Sequence, residues 1–439
     1  MQGDDRRAIL LVFSVAIGAG LVTGMLGSAF RTALDAAGQF REVLVTRAHD
    51  VPGGFFAVVA GTALAVMAAR FLVMRYAPIA AGSGVQHVEA VIRGEAPPAS
   101  AIVVPVKFVG GILAIGAGMP LGREGPTVQM GSVIAHELAR RFLPDRADRE
   151  AVLAAGAGAG LGVAFNTPVG AAVFVFEELT RTFVPLQVLT TLAAAAVAMA
   201  VMHFALGDAQ LFHAGVPVEQ PLNQLPVHFV LGALMGFAGA WYSTITLAFL
   251  NGADRLQRIP SIIRAGIIGA VVGVVGWRYP HLIGGGEELV QSALSTTWPA
   301  SILGIVLAVR LILGPLSYAA GVPGGLFAPL LVVGAGSGAL FHAFMAPVMP
   351  GLAPSSAVLS VVAMAAIFTA VVRAPLTGVV MTIEMTGRAD CAMAMLTASL
   401  AATLVASLIG SRPIYDILRE RMLAAPVTHR SSEAAPPQR

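Results

Sequence analysis

Charged residues are scarce in this sequence. Only 12% of its 439 residues are Asp, Glu, Lys or Arg, whereas 56% are hydrophobic and the mean hydropathy is +0.80. A soluble domain carries about 25% charged residues, so this chain has too little polar surface to be covered by water. The shortage of charge excludes an ordinary soluble protein and predicts an all-α polytopic membrane protein.

Cysteine is scarcer still. The single Cys391 excludes an internal disulfide and a cysteine metal cluster, and the nine His residues show no metal-ligand spacing. The sequence also lacks an HExxH motif, a nucleophile elbow and paired aspartates. It therefore predicts no enzyme, no metal and no cofactor. The pI of about 9.4 needs no nucleic acid to explain it, because several Arg residues fall at chain ends and in loops.

Glycine and proline, by contrast, are abundant, with 49 and 27 residues. Fourteen apolar stretches lie between residues 8 and 411, and several are much shorter than the roughly 20 residues that span a bilayer. This pattern predicts broken, tilted and re-entrant helices around a buried or aqueous cavity. GAGAGLG (156–162) lacks the spacing of a dinucleotide loop and predicts close helix packing instead.

The sequence contains an internal repeat. GMPLGREGPTVQMG (118–131) aligns with GVPGGLFAPLLVVG (321–334), and TPVGAAVFVFEELT (167–180) aligns with APLTGVVMTIEMT (374–386). The order of the two pairs is the same and their offsets differ by only four residues. Two repeats that are interrupted at matching places are typical of two-fold transporter architectures, although their relative orientation stays open at this point.

Four segments have the composition of a helix start: AAGSGVQ (80–86), GREGP (122–126), GGLFAP (324–329) and SRPIY (411–415). Glycine lets backbone amides approach a ligand closely, and proline suits the first turn of a helix. A helix N-terminus presents free N–H groups and a positive dipole end. These four segments therefore predict an anion site that needs no metal.

Glu124 stands at one of these helix starts. An ionised carboxylate in a membrane core costs about 2.5–3.5 kcal/mol on insertion scales, which favours a functional role. The carboxylate can compete with an anion, or take up a proton and turn away. The alternative is a static link to Arg123 or a helix cap. Since adjacent helical residues do not face each other, a close Arg123–Glu124 pair is disfavoured.

The four segments resemble the signatures of the CLC family of chloride channels and chloride/proton exchangers. They occur in family order over about residues 8–424. The resemblance implies a homodimer with a separate pore in each subunit, and about 18 mostly membrane-embedded helices in two inverted halves. It also implies that helix N-termini point at an anion near the midplane.

Site residues follow from the same resemblance. The anion-binding residues that it implies are Gly82, Ser83, Arg123, Gly125, Leu326, Phe327 and Tyr415. The hydroxyls of Ser83 and Tyr415 and the backbone N–H groups of residues 326 and 327 would hold the central anion. The backbone around residues 123 and 125 would line an outer site. Glu124 matches the gating glutamate, and the Phe327 ring is expected to be packing only.

Glu178 bears on the choice between exchanger and channel. It matches the internal proton-transfer glutamate of bacterial CLC exchangers, and it breaks the repeat symmetry because Met385 stands opposite. The alternative is a surface carboxylate paired with Arg181. Glu177 and Glu384 are repeat partners and are expected to form helix-end hydrogen bonds. The sequence thus favours a chloride/proton antiporter over a passive chloride channel.

Some residues depart from the pattern or resist assignment. The family's GSGIP is GSGVQ here, with Gln86 in place of proline. Ser83 favours chloride, rather than nitrate or fluoride, as the transported anion. Lys107 is expected to be a cation of an aqueous vestibule or helix end, or a snorkelling side chain. Arg310 sits in an apolar run and needs a partner that the sequence does not identify.

The expected organisation is one transport domain over residues 1–424, with repeat halves at about 8–206 and 226–411, and a disordered cytoplasmic tail at 425–439. Its partners are expected to be chloride, protons, the lipid bilayer and a second copy of the chain, with 169–206 and 374–411 at the dimer interface. The location expected is a bacterial inner membrane with both termini in the cytoplasm, since Arg6 and Arg7 precede the first apolar run.

Overall fold

A computed structural model describes residues 3–208, 210–216 and 220–424. Seventeen α-helices form this part of the chain, close to the predicted number of about 18. The first half contains α1 (Gly3–His49), α2 (Gly54–Tyr76), α3 (Val85–Ile92), α4 (Val103–Gly116), α5 (Glu124–Phe142), α6 (Arg146–Phe165), α7 (Pro168–Phe174) and α8 (Pro185–Leu206). The second contains α9 (Leu225–Arg255), α10 (Ser261–Arg278), α11 (Glu287–Ser295), α12 (Ala300–Tyr318), α13 (Phe327–Val348), α14 (Ser356–Val372), α15 (Pro375–Thr386), α16 (Ala392–Leu408) and α17 (Ile414–Ala424).

The prediction of an all-α membrane protein is confirmed. Within those ranges, eight helices are long and apolar enough to cross a membrane, namely α1, α2, α8, α9, α10, α12, α13 and α16. Seven of the others are shorter, as the broken apolar stretches indicate, whereas α5 and α6 have 19 and 20 residues but are less apolar. The expected tail at 425–439 lies outside the described residues.

Two helix boundaries differ from the apolar pattern. Helix α1 continues to His49, well beyond the apolar stretch 8–35. The apolar pattern stops earlier because the second part of the helix carries polar side chains, several of which line a cleft described below. Helix α7 ends at Phe174 and is followed by one π-helical segment, Val175–Leu179, which contains Glu177 and Glu178. Single π-helical turns often occur at functional sites.

Glycines let the helices of each half approach closely. A Cβ atom added at Gly131 of α5 would lie 2.2 Å from the carbonyl oxygen of Gly156 of α6, and one added at Gly160 would lie 2.2 Å from that of Thr127. In the second half, a Cβ at Gly338 of α13 would lie 2.2 Å from the carbonyl oxygen of Leu359. Backbone contact of this kind stabilises helix pairs in lipid, and it confirms the packing role predicted for GAGAGLG.

The two repeats cap each other. The Glu384 carboxylate accepts hydrogen bonds from the N–H groups of Val169 and Gly170 at the start of α7, at 3.1 and 2.6 Å. The Glu177 carboxylate accepts from those of Leu376 and Thr377 at the start of α15, at 3.1 and 2.7 Å. Each half therefore supplies the carboxylate that satisfies the helix start of the other half, as predicted for this pair.

Candidate functional site

Three loops join at the centre of the molecule. Gly122 and Gly325 exchange two backbone hydrogen bonds of 2.9 and 2.7 Å and form an antiparallel bridge. Gly82 donates to Val322 at 3.0 Å and accepts from Gly324 at 3.1 Å. The chain therefore passes in opposite directions through the equivalent turns 122 and 325, as a local two-fold relation between the repeats requires, and the starts of α3, α5 and α13 are brought together.

Glu124 lies inside this junction and is fully buried. Its Oε1 accepts a 2.7 Å hydrogen bond from the backbone N–H of Phe327, the first residue of α13. Its Oε2 has no hydrogen-bond partner among the described residues. A Cβ atom at Gly325 would lie 2.2 Å from Oε1, so a larger residue there would displace the carboxylate from this position. The carboxylate thus occupies the position where a helix N-terminus would hold an anion.

Ser83 and Tyr415 contribute two hydroxyl groups to the same centre. Both residues are fully buried, and their hydroxyls lie near each other. Neither makes a hydrogen bond of good geometry to another described residue. Ser83 lies directly beside the start of α5, since a Cβ atom at Gly125 would lie 2.4 Å from its Oγ. Buried hydroxyls with unused donors are what an anion-binding cavity requires.

The Phe327 ring does not take part in this polar centre. It packs against the rings of Phe165, Phe174, Phe368 and Tyr415 at centroid distances of 4.8–6.2 Å. Leu326, directly before it, is also fully buried and precedes the first turn of α13. The side chains therefore lock the helix start in place, while the backbone N–H faces Glu124.

Arg123 directs its guanidinium away from Glu124. Its Nε donates to the carbonyl oxygen of Ala164 at 3.0 Å, and its Nη2 lies 2.9 Å from Oε1 of Glu287. Its Nη1 lies 4.0 Å from Oδ1 of Asp35. The side chain therefore ties the GREGP turn to α6, α11 and α1, and the close Arg123–Glu124 link considered from sequence does not form.

Glu178 is buried in the π-helical segment, with 2% of its side chain exposed. Its Oε2 lies 3.6 Å from Nη2 of Arg181, and its Oε1 has no hydrogen-bond partner among the described residues. Arg181 lies nearer to Asp416, at 3.0 Å. Glu178 is therefore a buried carboxylate that Arg181 approaches to 3.6 Å, not the surface pair considered from sequence.

A charge network surrounds Glu178 that sequence reasoning missed. Arg93, Arg181 and Arg419 lie 2.7, 3.7 and 3.3 Å from Oε1 of the fully buried Glu89. Asp416, next to Tyr415, joins the same group through Arg181 and Arg419. The members come from α3, α17 and the segment after the π turn. The only sequence signal was a Glu on the apolar face of α3.

The predictions for Lys107 were wrong. Lys107 is fully buried, and its Nζ donates to the carbonyl oxygens of Gly82 at 2.7 Å and of Ser83 at 2.9 Å. It is neither a vestibule cation nor a snorkelling side chain; it fixes the loop that carries Ser83. Arg310, also fully buried, finds its partner in the carbonyl oxygen of Gly284, at 2.7 Å.

Gln86 compensates for the missing proline of the GSG segment. Its Oε1 accepts a 3.1 Å hydrogen bond from the N–H of Gly84. Gly84 has φ 88°, a left-handed conformation that favours glycine, and directly precedes α3. The side chain of Gln86 therefore closes the turn locally, and Ser83 keeps its place at the centre.

These observations can be compared with known proteins. The sequence model of the family described as voltage gated chloride channel matches residues 65–407. The chain belongs to this family, the CLC family. Proteins called H(+)/Cl(-) exchange transporter ClcA, from Salmonella paratyphi A and Salmonella schwarzengrund, are each 32% identical to it over 434 residues. These matches cover 96% of this CLC chain and 90% of each relative.

Solved structures give the same result for the fold. A structure described as a slow cyanobacterial Cl-/H+ antiporter is 30% identical, has a TM-score of 0.91, and matches over 95% of this CLC chain and 99% of its own. A eukaryotic CLC transporter, 22% identical, has a TM-score of 0.81, with 94% and 74% covered. This CLC chain therefore has the CLC fold over 95% of its length.

Proposed function

We propose that this CLC protein is a secondary antiporter that exchanges chloride for protons across the membrane. The observation that carries the proposal is the place of Glu124. Its buried carboxylate accepts the N–H of Phe327 at a helix start, where an anion would otherwise bind. One position can therefore hold chloride or an ionised carboxylate, but not both. The names of the relatives, exchange transporter and antiporter, agree with this function.

The central anion is held by the hydroxyls of Ser83 and Tyr415 and by the N–H groups of Leu326 and Phe327. The unused hydroxyls and the fully buried position support this assignment. Backbone groups of Gly82, together with those of residues 123 and 125, line the path around it. Lys107, whose Nζ donates to two carbonyl oxygens of the Ser83 loop, holds that loop in place beside the anion.

One cycle then runs as follows. Chloride occupies the centre while Glu124 is protonated and turned toward the Arg123 side. Loss of the proton returns the carboxylate to the N–H of Phe327, and chloride is displaced. Because chloride and the ionised Glu124 carboxylate compete for one position, net movement of chloride drives protons in the opposite direction, and net movement of protons drives chloride.

Glu178 exchanges the proton with the cytoplasm in this scheme. It is buried, one of its carboxylate oxygens is unpaired among the described residues, and Tyr415 interacts electrostatically with both Glu178 and Glu124. Tyr415 therefore lies near both glutamates, and in this scheme the proton passes between them by water beside its side chain.

The protein works in a bacterial inner membrane as a homodimer, with both termini in the cytoplasm. Residues 1–424 form the transport domain. The interface lies on 169–206 and 374–411, where α8 and α16 expose large apolar side chains such as Leu189, Leu400 and Leu404. Apolar exposure alone suits lipid as well as protein, so cross-linking between these two stretches in native membranes is the test of the dimer.

The test of antiport is proton movement driven by chloride. The protein is reconstituted in liposomes, a chloride gradient is imposed without a proton gradient, and internal pH is recorded at controlled voltage. We expect uphill proton movement, which Glu124→Gln abolishes while anion flux remains. Glu137→Gln is the matched control, since Glu137 lies on the same helix but pairs with Arg140 at the surface. Chloride flux without proton movement in the unaltered protein would establish a passive channel instead.

A further inference from the structure

A cleft of about 360 Å³ leads from the surface to the Arg123 side of the centre. Gly122 and Ala328, which flank the Glu124 carboxylate in space, form part of its lining. Its ionised side chains are Asp35, Arg41, Glu42, Arg123, Glu287 and Glu288. Carboxylates outnumber guanidiniums by four to two, which is an unexpected lining for a path that admits anions.

One carboxylate in the cleft neutralises the arginine nearest the centre. Glu287, the first residue of α11, places Oε1 2.9 Å from Nη2 of Arg123. The Arg123 side chain is only 7% exposed, while the Glu287 side chain is 41% exposed. Asp35 is more distant, at 4.0 Å, and more exposed, at 56%. A cation that would attract anions to the centre is therefore held in an ion pair.

We propose that Glu287 determines the rate at which chloride enters from the Arg123 side and the affinity with which it binds there. This inference rests on the proposed function, because it takes the cleft as the anion entrance. A positive group in a narrow cleft raises the local anion concentration, and a paired carboxylate cancels that field. Removal of the carboxylate leaves Arg123 with its bond to the Ala164 carbonyl and restores the attraction.

The neighbouring Glu288 provides a matched comparison. It lies on the same helix and lines the same cleft, but 74% of its side chain is exposed. Its Oε2 lies 3.7 Å from Nδ1 of His281, and it makes no ion pair with Arg123 among the described residues. Glu288→Gln and Glu287→Gln remove the same formal charge, so a difference between them reports contact with Arg123 rather than the average charge of the cleft.

The experiment measures chloride flux into liposomes at graded chloride concentrations. We expect Glu287→Gln to lower the half-saturating chloride concentration by about two- to fivefold, the effect of one unit charge roughly 10 Å from an anion at intermediate dielectric. Glu288→Gln should change it by less than half as much. An impermeant salt at about 0.5 M should shrink the difference, because the Debye length falls well below 8 Å.

Two further measurements separate charge from structure. Asp35→Asn should act in the same direction as Glu287→Gln but less, and Arg123→Gln should remove the effect of Glu287→Gln. Equal effects of the two glutamine variants, or an effect of Glu287→Gln that persists beside Arg123→Gln, would overturn the inference. Internal pH is recorded in the same liposomes. Chloride flux without proton movement would refute antiport alone, since the comparison of half-saturation does not depend on it.

Discussion

Replacing Glu384 with alanine should destabilise the protein without uncoupling it. The carboxylate satisfies two backbone N–H groups at the start of α7, at 3.1 and 2.6 Å. A hydrogen bond to a charged group contributes about 1.5–3 kcal/mol, so two fully buried bonds would contribute about 3–6 kcal/mol. Because Glu384 is partly exposed, we expect its replacement to lower the free energy of unfolding by about 2–4 kcal/mol. Glu177→Ala should cost somewhat more, because Glu177 also accepts from the hydroxyl of Thr377 at 2.8 Å.

The assay is thermal unfolding in mild detergent, with chloride and proton flux measured on the same samples. The midpoint should fall by several degrees, and Glu384→Gln should lose about half as much because one carbonyl oxygen still accepts. Glu137→Ala, which breaks a surface pair, is the control and should cost at most about 1 kcal/mol. An unchanged midpoint for Glu384→Ala, or lost coupling with full stability, would refute a capping role.

Three other variants test other parts of the structure. Glu178→Leu should leave chloride flux within about threefold but reduce chloride-driven proton movement at least tenfold, measured with a pH indicator in liposomes. Gly131→Ala should destabilise the protein by about 2 kcal/mol or more in the same unfolding assay, because the new Cβ atom would lie 2.2 Å from the Gly156 carbonyl oxygen. Gly18→Ala is the control: its Cβ atom would have no neighbour within 4 Å, and stability should change by at most about 1 kcal/mol. Tyr415→Phe should leave the unfolding midpoint unchanged but weaken chloride binding measured by calorimetry, because the hydroxyl has no hydrogen-bond partner among the described residues.

The helix starts and the repeat were predictable because their signals are local. Glycine and proline at 122–126 and 324–329 determine backbone geometry within a few residues, and α5 and α13 begin at Glu124 and Phe327. The capping pair Glu177 and Glu384 was visible because the repeat alignment placed each opposite the other. Local and repeated features of this kind can be recognised in the amino-acid sequence alone.

The partners of buried charges were not predictable. Lys107 bonds to carbonyls 24 and 25 residues away, and Arg310 to one 26 residues away, each across a turn that the apolar pattern does not describe. Backbone carbonyls carry no sequence signature, so a cation bound to them looks solvated or unpaired. The pairing of Arg123 with Glu287, 164 residues apart, depends on how α5 meets α11 and likewise has no local signal.

The junction of the loops at 82, 122 and 325 has a consequence for biogenesis. Glu124 is already part of the nascent chain while the second half is still being synthesised. The Phe327 N–H that donates to its carboxylate has not yet been made at that stage. Tyr415 is made later still, 88 residues after Phe327. Synthesis that stops early therefore leaves a membrane-inserted fragment without a complete ion pathway, so an unfinished chain cannot dissipate the gradients of the cell that is making it.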